Sequence, residues 1–188
     1  MGGYTMTRKT YETEITAELS LTGGEIVIDT GVKFFDHMLT AMAFHAGWGL
    51  TVKAEGDLEV DAHHTVEDVG IVLGQILVEA LPENRARFGH AYVPMDEALA
   101  FTAADAGGRA FLRYDAPIPD MPGIYDTVLT KEFFRALCRN AQLTLHLRVE
   151  GDNAHHMTEA LFKSTGAALR QACAPRTGVG VASTKGVL

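Results

Sequence analysis

The sequence predicts an α+β fold made by internal duplication, with two similar halves in the order ββαβα and the helices packed between two β-sheets. Two observations predict it. First, a set of segments recurs in register: Phe34-Phe35, Leu50 to Asp57, and Ala62-His63-His64 with Glu67 return as Phe133-Phe134, Leu145 to Asp152, and Ala154-His155-His156 with Glu159. Self-similarity over this distance marks a supersecondary unit used twice. Second, both halves switch in the same order between the two-residue period of strands and the 3.6-residue period of helices. The 188 residues are therefore read as one domain, with half-repeats over about 8–88 and 89–174 and a tail over 175–188.

The elements follow in order. Thr13 to Leu21 and Glu25 to Thr30 read as strands, and the Gly23-Gly24 pair between them reads as a hairpin turn. Ala98 to Asp105 and Arg109 to Tyr114 flank Gly107-Gly108 in the same way. A helix is expected over Phe34 to Phe44 and another over roughly Thr130 to Asn140. Trp48 to Ala54 and Leu143 to Glu150 alternate apolar and polar residues, as half-buried strands do. Beyond His63, Val69, Val72, Leu73, Ile76, Leu77 and Ala80 keep helical spacing; Met157, Ala160, Leu161, Ala168, Leu169 and Ala172 keep it beyond His155. Asp115 to Asp126, with three prolines, reads as a long irregular connection within the second half. The tail from Pro175 has no periodicity and is expected to be mobile.

Composition narrows the function. With 47% hydrophobic and 21% charged residues, the chain belongs to the soluble globular class and not to the disordered one. A net charge of −8 offers no basic face to wrap nucleic acid, while a small anion held by a few placed cations stays compatible with it. No apolar run approaches the ~18 residues of a membrane span, and the amino terminus carries no secretory or myristoylation signal. Cys138 and Cys173 stand in no metal-finger or redox spacing, which fits two inert buried thiols in a reducing compartment. A cytoplasmic location is the expectation.

The chemistry concentrates in the two HHxxE segments. At 100° per residue, His63 and Glu67 share one helix face, as do His155 and Glu159, so each pair can grip one ion. His64 and His156 are rotated about 100° from their neighbours and point toward a second ion. The arithmetic favours a two-metal site in which each helix gives two ligands to one ion and one to the other. Asp61 and Asn153 stand where N-caps would place the histidines in the first turn, and the helix dipole there disfavours imidazolium. His37 is a further ligand candidate with Asp36 as its partner, and His45 lies eight residues on along the same helix. His90 and His146 read as surface or strand histidines, and Asp96-Glu97 as structural. Imidazole and carboxylate donors suit several divalent ions, so the donor set alone does not select the metal.

Five separated motifs carry a resemblance: Phe-Phe-Asp-His-Met-Leu (34–39), Asp-Ala-His-His-Thr-Val-Glu-Asp (61–68), Pro-Met-Asp-Glu-Ala-Leu (94–99), His-His-Met-Thr-Glu-Ala-Leu-Phe-Lys (155–163) and Ser-Thr-Lys-Gly (183–186). From Arg8 onward the chain resembles the imidazoleglycerol-phosphate dehydratase family of histidine biosynthesis. The resemblance implies a cytoplasmic enzyme with two manganese ions (Mn2+) per active site and a phosphorylated imidazole substrate. It also implies a homo-oligomer of 24 chains with sites between subunits. Carried over by position, one ion takes His37, His64, His155 and Glu159, and the other takes His63, Glu67 and His156. Glu132 stands where many members place a further histidine ligand, and Lys33 where members usually have glycine. The resemblance makes Glu12, and beside it the ligand Glu159, the carboxylates expected to be catalytic. It nominates Arg87, Arg109, Lys163, Ser183 and Lys185 for the substrate phosphate; His45, from its place on the helix of His37, is a further residue expected close to substrate. Lys163 is four residues beyond Glu159, which by spacing alone aims its ammonium along the ligand face.

The expected reaction abstracts a proton from a carbon with no adjacent carbonyl, so the ring must carry the charge as a metal-stabilised imidazolate that expels the neighbouring hydroxyl. A carboxylate then moves the proton. Two other readings compete: a dinuclear phosphoester hydrolase, and a non-catalytic module clipped together by metal.

Overall fold

The computed structural model describes residues 3–176 and 182–186. Twelve elements follow in order: β1 (Tyr4–Lys9), β2 (Thr13–Ser20), β3 (Ile26–Asp29), α1 (Lys33–Ala46), β4 (Gly49–Gly56), α2 (His63–Ala80), β5 (Phe88–Met95), β6 (Ala98–Asp105), β7 (Phe111–Asp115), α3 (Val128–Ala141), β8 (Thr144–Glu150) and α4 (Ala154–Ala172). The α+β duplication expected from the repeat is present. Each half has three strands, a helix, a strand and a helix, one strand more than the ββαβα order.

The extra strands are β1 and β5, both at sheet edges. Neither places an apolar side chain fully in the core, so their apolar alternation is weak. β5 also carries Gly89 and Pro94, and proline is tolerated in a strand only where no neighbour needs its N–H.

The two Gly-Gly turns do not close hairpins. The sheets run β1-β2-β4-β3 and β5-β6-β8-β7, so β4 and β8 insert between the strands that the turns connect. β2 pairs antiparallel with β4, while β3 runs parallel to it, with α1 as the crossover that parallel strands require. Gly24, at φ 145°, passes so close to Gly49 that a Cβ on Gly49 would lie 2.8 Å from the Gly24 Cα. The glycines thus carry the chain across the start of β4, where a hairpin turn would fold it back.

Helices α1 and α2 pack on the first sheet, α3 and α4 on the second, and the layers meet through α1 on α4 and α2 on α3. The helices therefore lie between the sheets, as expected. The repeated Phe-Phe pair supplies the centre. Phe35, Phe133, Phe134 and Phe162 are all fully buried, with Phe133 stacked on Phe162 at a centroid distance of 5.4 Å. Residues 116–127 form the irregular connection, pinned by one bridge between Met121 and Tyr125. Half of the tail expected to be mobile, 177–181 and 187–188, lies outside the described residues. Cys138 and Cys173 are buried and unpaired, and burial pushes both thiols up to about 12. Among the described residues no helix is long and apolar enough to cross a membrane.

Candidate metal centre

The start of α4 is built as the sequence predicts. Asn153 Oδ1 accepts from the backbone N–H of His155 at 2.9 Å and of His156 at 3.3 Å. This cap fixes the turn that presents both imidazoles. In α2 the cap position falls on Ala62; Asp61, one residue earlier, still accepts from the His63 N–H at 2.7 Å.

One three-donor cluster is closed in the chain. Nε2 of His155 lies 3.1 Å and Nε2 of His37 3.2 Å from Glu159 Oε2. All three donors lie within 4.8 Å of one another, and they form the only such group among the described residues. His155 and Glu159 share a face of α4, and His37 arrives from α1 because α1 packs on α4. Phe34 sets its ring edge against His155 at 5.2 Å. The other oxygen of Glu159 accepts from Lys163 Nζ at 2.8 Å. Burial alone would raise the Glu159 carboxyl, but hydrogen bonds from Lys163 and His37 outweigh it and hold the group below the ordinary carboxylate range. His45 is half-buried within electrostatic reach of Lys163 and Glu159; burial first, then the lysine cation, lowers its basicity and keeps it neutral at pH 7.

Asp36 does not serve His37. Its Oδ1 accepts from the N–H and hydroxyl of Thr30 at 2.8 and 2.6 Å, and its Oδ2 pairs with Lys33 at 3.1 Å. Adjacent helical residues point 100° apart, so Asp36 turns into the loop before α1 while His37 faces out.

The second half of the predicted donors is arranged differently. His63 Nε2 stands 3.6 Å from Glu67 Oε2, a two-member pair. His64 Nδ1 is held by Asp57 Oδ2 at 3.0 Å and its Nε2 lies 3.8 Å from Glu12 Oε1. His156 Nδ1 is held by Glu97 Oε2 at 2.8 Å, with Asp96 Oδ2 3.8 Å from its Nε2. Both neighbouring His pairs have ring centroids 6.2 Å apart and nearly perpendicular planes. Hydrogen bonds to Asp57 and Glu97 raise the basicity of His64 and His156, and His156 with the Asn153 N–H pulls the Glu97 carboxyl down to about 2.

A single chain therefore does not gather the two four- and three-residue ligand sets that the resemblance implies. His64 is absent from the His37 cluster and His156 from the His63 pair. The helices explain why, since the helix that α2 packs on is α3 and the helix that α4 packs on is α1. Glu132 is likewise outside the cluster, its Oε2 paired with Arg135 at 2.7 Å.

Glu12 sits in the β1–β2 turn, where the Thr10 hydroxyl accepts from the N–H of Glu12 and of Thr13 at 3.1 and 3.0 Å. Buried Asp68 of α2 ties that turn down through Arg8 at 3.2 Å and the Thr13 hydroxyl. The remaining phosphate candidates form a separate corner. Arg87 forks onto Asp105 at 2.7 and 3.1 Å and donates to the Ala182 carbonyl at 2.9 Å, and Arg109 approaches Asp105 at 3.7 Å. Ser183 Oγ accepts from the Lys185 N–H at 3.2 Å in the same segment. Arg87 precedes β5, whose far end, Met95, touches Lys163. A strand of 8 residues spans roughly 25 Å, so this corner and Lys163 lie at opposite ends of it.

Asp57 was not singled out by sequence reasoning, and Glu97, read there as structural, holds His156. Their signals are the repeated Glu-Gly-Asp segment and the Pro-Met-Asp-Glu motif, and what each holds is visible only in three dimensions.

Imidazole nitrogens and carboxylate oxygens converging on one point, without cysteine, are a donor set suited to a divalent cation. Fold and cluster together define a class: an internally duplicated α+β protein whose helix starts present a histidine–carboxylate centre. The imidazoleglycerol-phosphate dehydratase family model matches residues 30–169, and the chain belongs to that family. A Symbiobacterium thermophilum imidazoleglycerol-phosphate dehydratase is 54% identical over 188 residues, covering 96% of this chain and 90% of its own. A Methanocella arvoryzae one is 48% identical over 192 residues, with full coverage of both chains. The Pyrococcus furiosus enzyme structure superposes with a TM-score of 0.88 at 42% identity, covering 97% of this chain and 100% of that one. The Staphylococcus aureus structure gives 0.84 at 39% identity, covering 93% and 99%. Membership places the chain among the hydro-lyases of histidine biosynthesis.

Proposed function

We propose that the chain removes water from D-erythro-imidazole-glycerol phosphate to give imidazole acetol phosphate, at a dimanganese site completed by further copies of the same chain in the cytoplasm. The observation that carries the reading is the closed His37–His155–Glu159 cluster in a member of this family. His37, His155 and Glu159 would hold one ion with His64, and His63, Glu67 and His156 the other. Bound there, the ions supply Lewis acidity and a template for the azole ring.

The side chains divide the remaining work. Glu12 is exposed at its turn and faces Nε2 of His64, so it is the carboxylate that takes the substrate proton and returns it. Glu159 has both oxygens committed, to two imidazoles and to Lys163, and serves to hold the site. Lys163 offers its ammonium at the cluster, while Arg87, Arg109, Ser183 and Lys185 form the cationic corner for the phosphate. Their separation along β5 and the division of the histidines both support a site shared between copies, which agrees with the 24-chain assembly implied by the family resemblance.

Incubation of the full-length protein with the substrate is expected to yield the ketone. Turnover should stop on chelation and return with Mn2+. Release of inorganic phosphate would favour the hydrolase reading, and full turnover after chelation would remove the metal. Light scattering is expected to report a mass many times the 20.3 kDa of one chain; an active single chain would refute the shared site.

A further inference from the structure

We infer that Asp57 and Glu97 are positioning residues that fix His64 and His156 as Nε2 donors; this deepens the metal reading above and rests on it. The two histidines differ from His37 and His155, whose Nε2 atoms already meet the carboxylate of Glu159. In His64 and His156 the carboxylate sits on the other nitrogen, Nδ1, at 3.0 and 2.8 Å. A neutral imidazole carries one N–H. A carboxylate at Nδ1 captures it, leaves the Nε2 lone pair directed outward, and fixes the ring plane.

Both holders are themselves held. Glu97 Oε1 accepts from the Asn153 N–H at 2.9 Å and the Asp152 N–H at 3.4 Å, which ties the β5–β6 turn to the start of α4. The Asp57 N–H donates to the Glu12 carbonyl at 3.1 Å, and the Asp57 carbonyl accepts from Val60 at 2.8 Å. Each imidazole is thus aimed by a carboxylate whose own backbone or side chain is pinned.

The duplication shows how the two halves diverged. Glu14 pairs with Glu55 in the first sheet and Leu99 with Glu150 in the second. Glu55-Gly56-Asp57 and Glu150-Gly151-Asp152 are the same repeated segment, so Glu12 and Glu97 occupy one place in the duplicated frame. In the second half that turn glutamate holds Nδ1. In the first half Asp57 has taken over the holding, and Glu12 stands at the Nε2 side of His64 instead. One ancestral position therefore yields a positioning carboxylate in one half and a carboxylate free for proton transfer in the other.

The test is calorimetric titration of Mn2+ into metal-stripped, full-length protein, alongside thermal melting of the same metal-free samples. The variants are Glu97→Gln, which keeps an oxygen for the Asn153 amide, and Asp57→Asn, with Asp57→Ala in reserve for either that misfolds. Each is expected to weaken Mn2+ binding about 10–100-fold while the metal-free melting midpoint stays at the parent value. Parent-like Mn2+ affinity in the variants overturns the inference and leaves the metal reading standing. A lowered midpoint with parent-like affinity overturns it too, since it marks a purely structural role. Absence of Mn2+ binding by the parent itself would instead refute the metal reading.

Discussion

Replacing Asn153 by alanine tests how far one cap governs the centre. Its Oδ1 accepts two backbone amides, those of His155 and His156, so both bonds of the turn that carries the ligands vanish together. Caps of this kind are worth about 0.5–2 kcal/mol, and two good acceptances put this one in the upper half, about 1–2 kcal/mol. For a chain of 188 residues each kcal/mol moves the melting midpoint by about 2–4 °C. The variant should therefore melt roughly 2–8 °C below the parent when both are metal-free and at equal protein concentration. Asn153→Asp keeps the acceptor and should melt close to the parent. Circular dichroism or scanning calorimetry reads the difference. An alanine variant that melts with the parent would refute the assignment of α4's start to this cap, and with it the idea that the imidazoles are held by local chain geometry.

Glu12→Gln should lower kcat by about 10²–10⁴-fold with manganese content intact; near-normal turnover would remove Glu12 from proton transfer. Gly166→Ala should cost about 1–3 kcal/mol or more, because its Cβ would lie 2.2 Å from the Met42 carbonyl oxygen where α4 crosses α1, and a melting curve checks it. The thiols of Cys138 and Cys173, buried and pushed up to about 12, should ignore a disulfide reagent in the folded protein and both react after denaturation.

Helix periodicity was legible in the chain because it is local: residues three and four apart share a face whatever surrounds them. That rule located all four helices and paired His155 with Glu159 and His63 with Glu67. Strand partnership was not legible in the same way. The Gly-Gly segments look like hairpin turns, yet β3 and β7 pair with strands that come a helix later in the chain. Strands β1 and β5 escaped notice because they place no apolar side chain fully in the core, so their sequences carry little apolar alternation. Asp36 reads as a neighbour of His37, and the helical rotation sends it to Thr30 instead.

The amino-acid order by itself determined the duplication, the helix faces and the residue types able to ligate a cation, since each depends on spacing along one chain. Only the tertiary structure decided which donors meet. His37 reaches Glu159 because α1 lies on α4, whereas His64 is held by Asp57 in the connection just before α2 and His156 by Glu97 in the β5–β6 turn, 59 residues away. Distance between side chains on different elements is set by how the layers stack, and no period in a single segment encodes it.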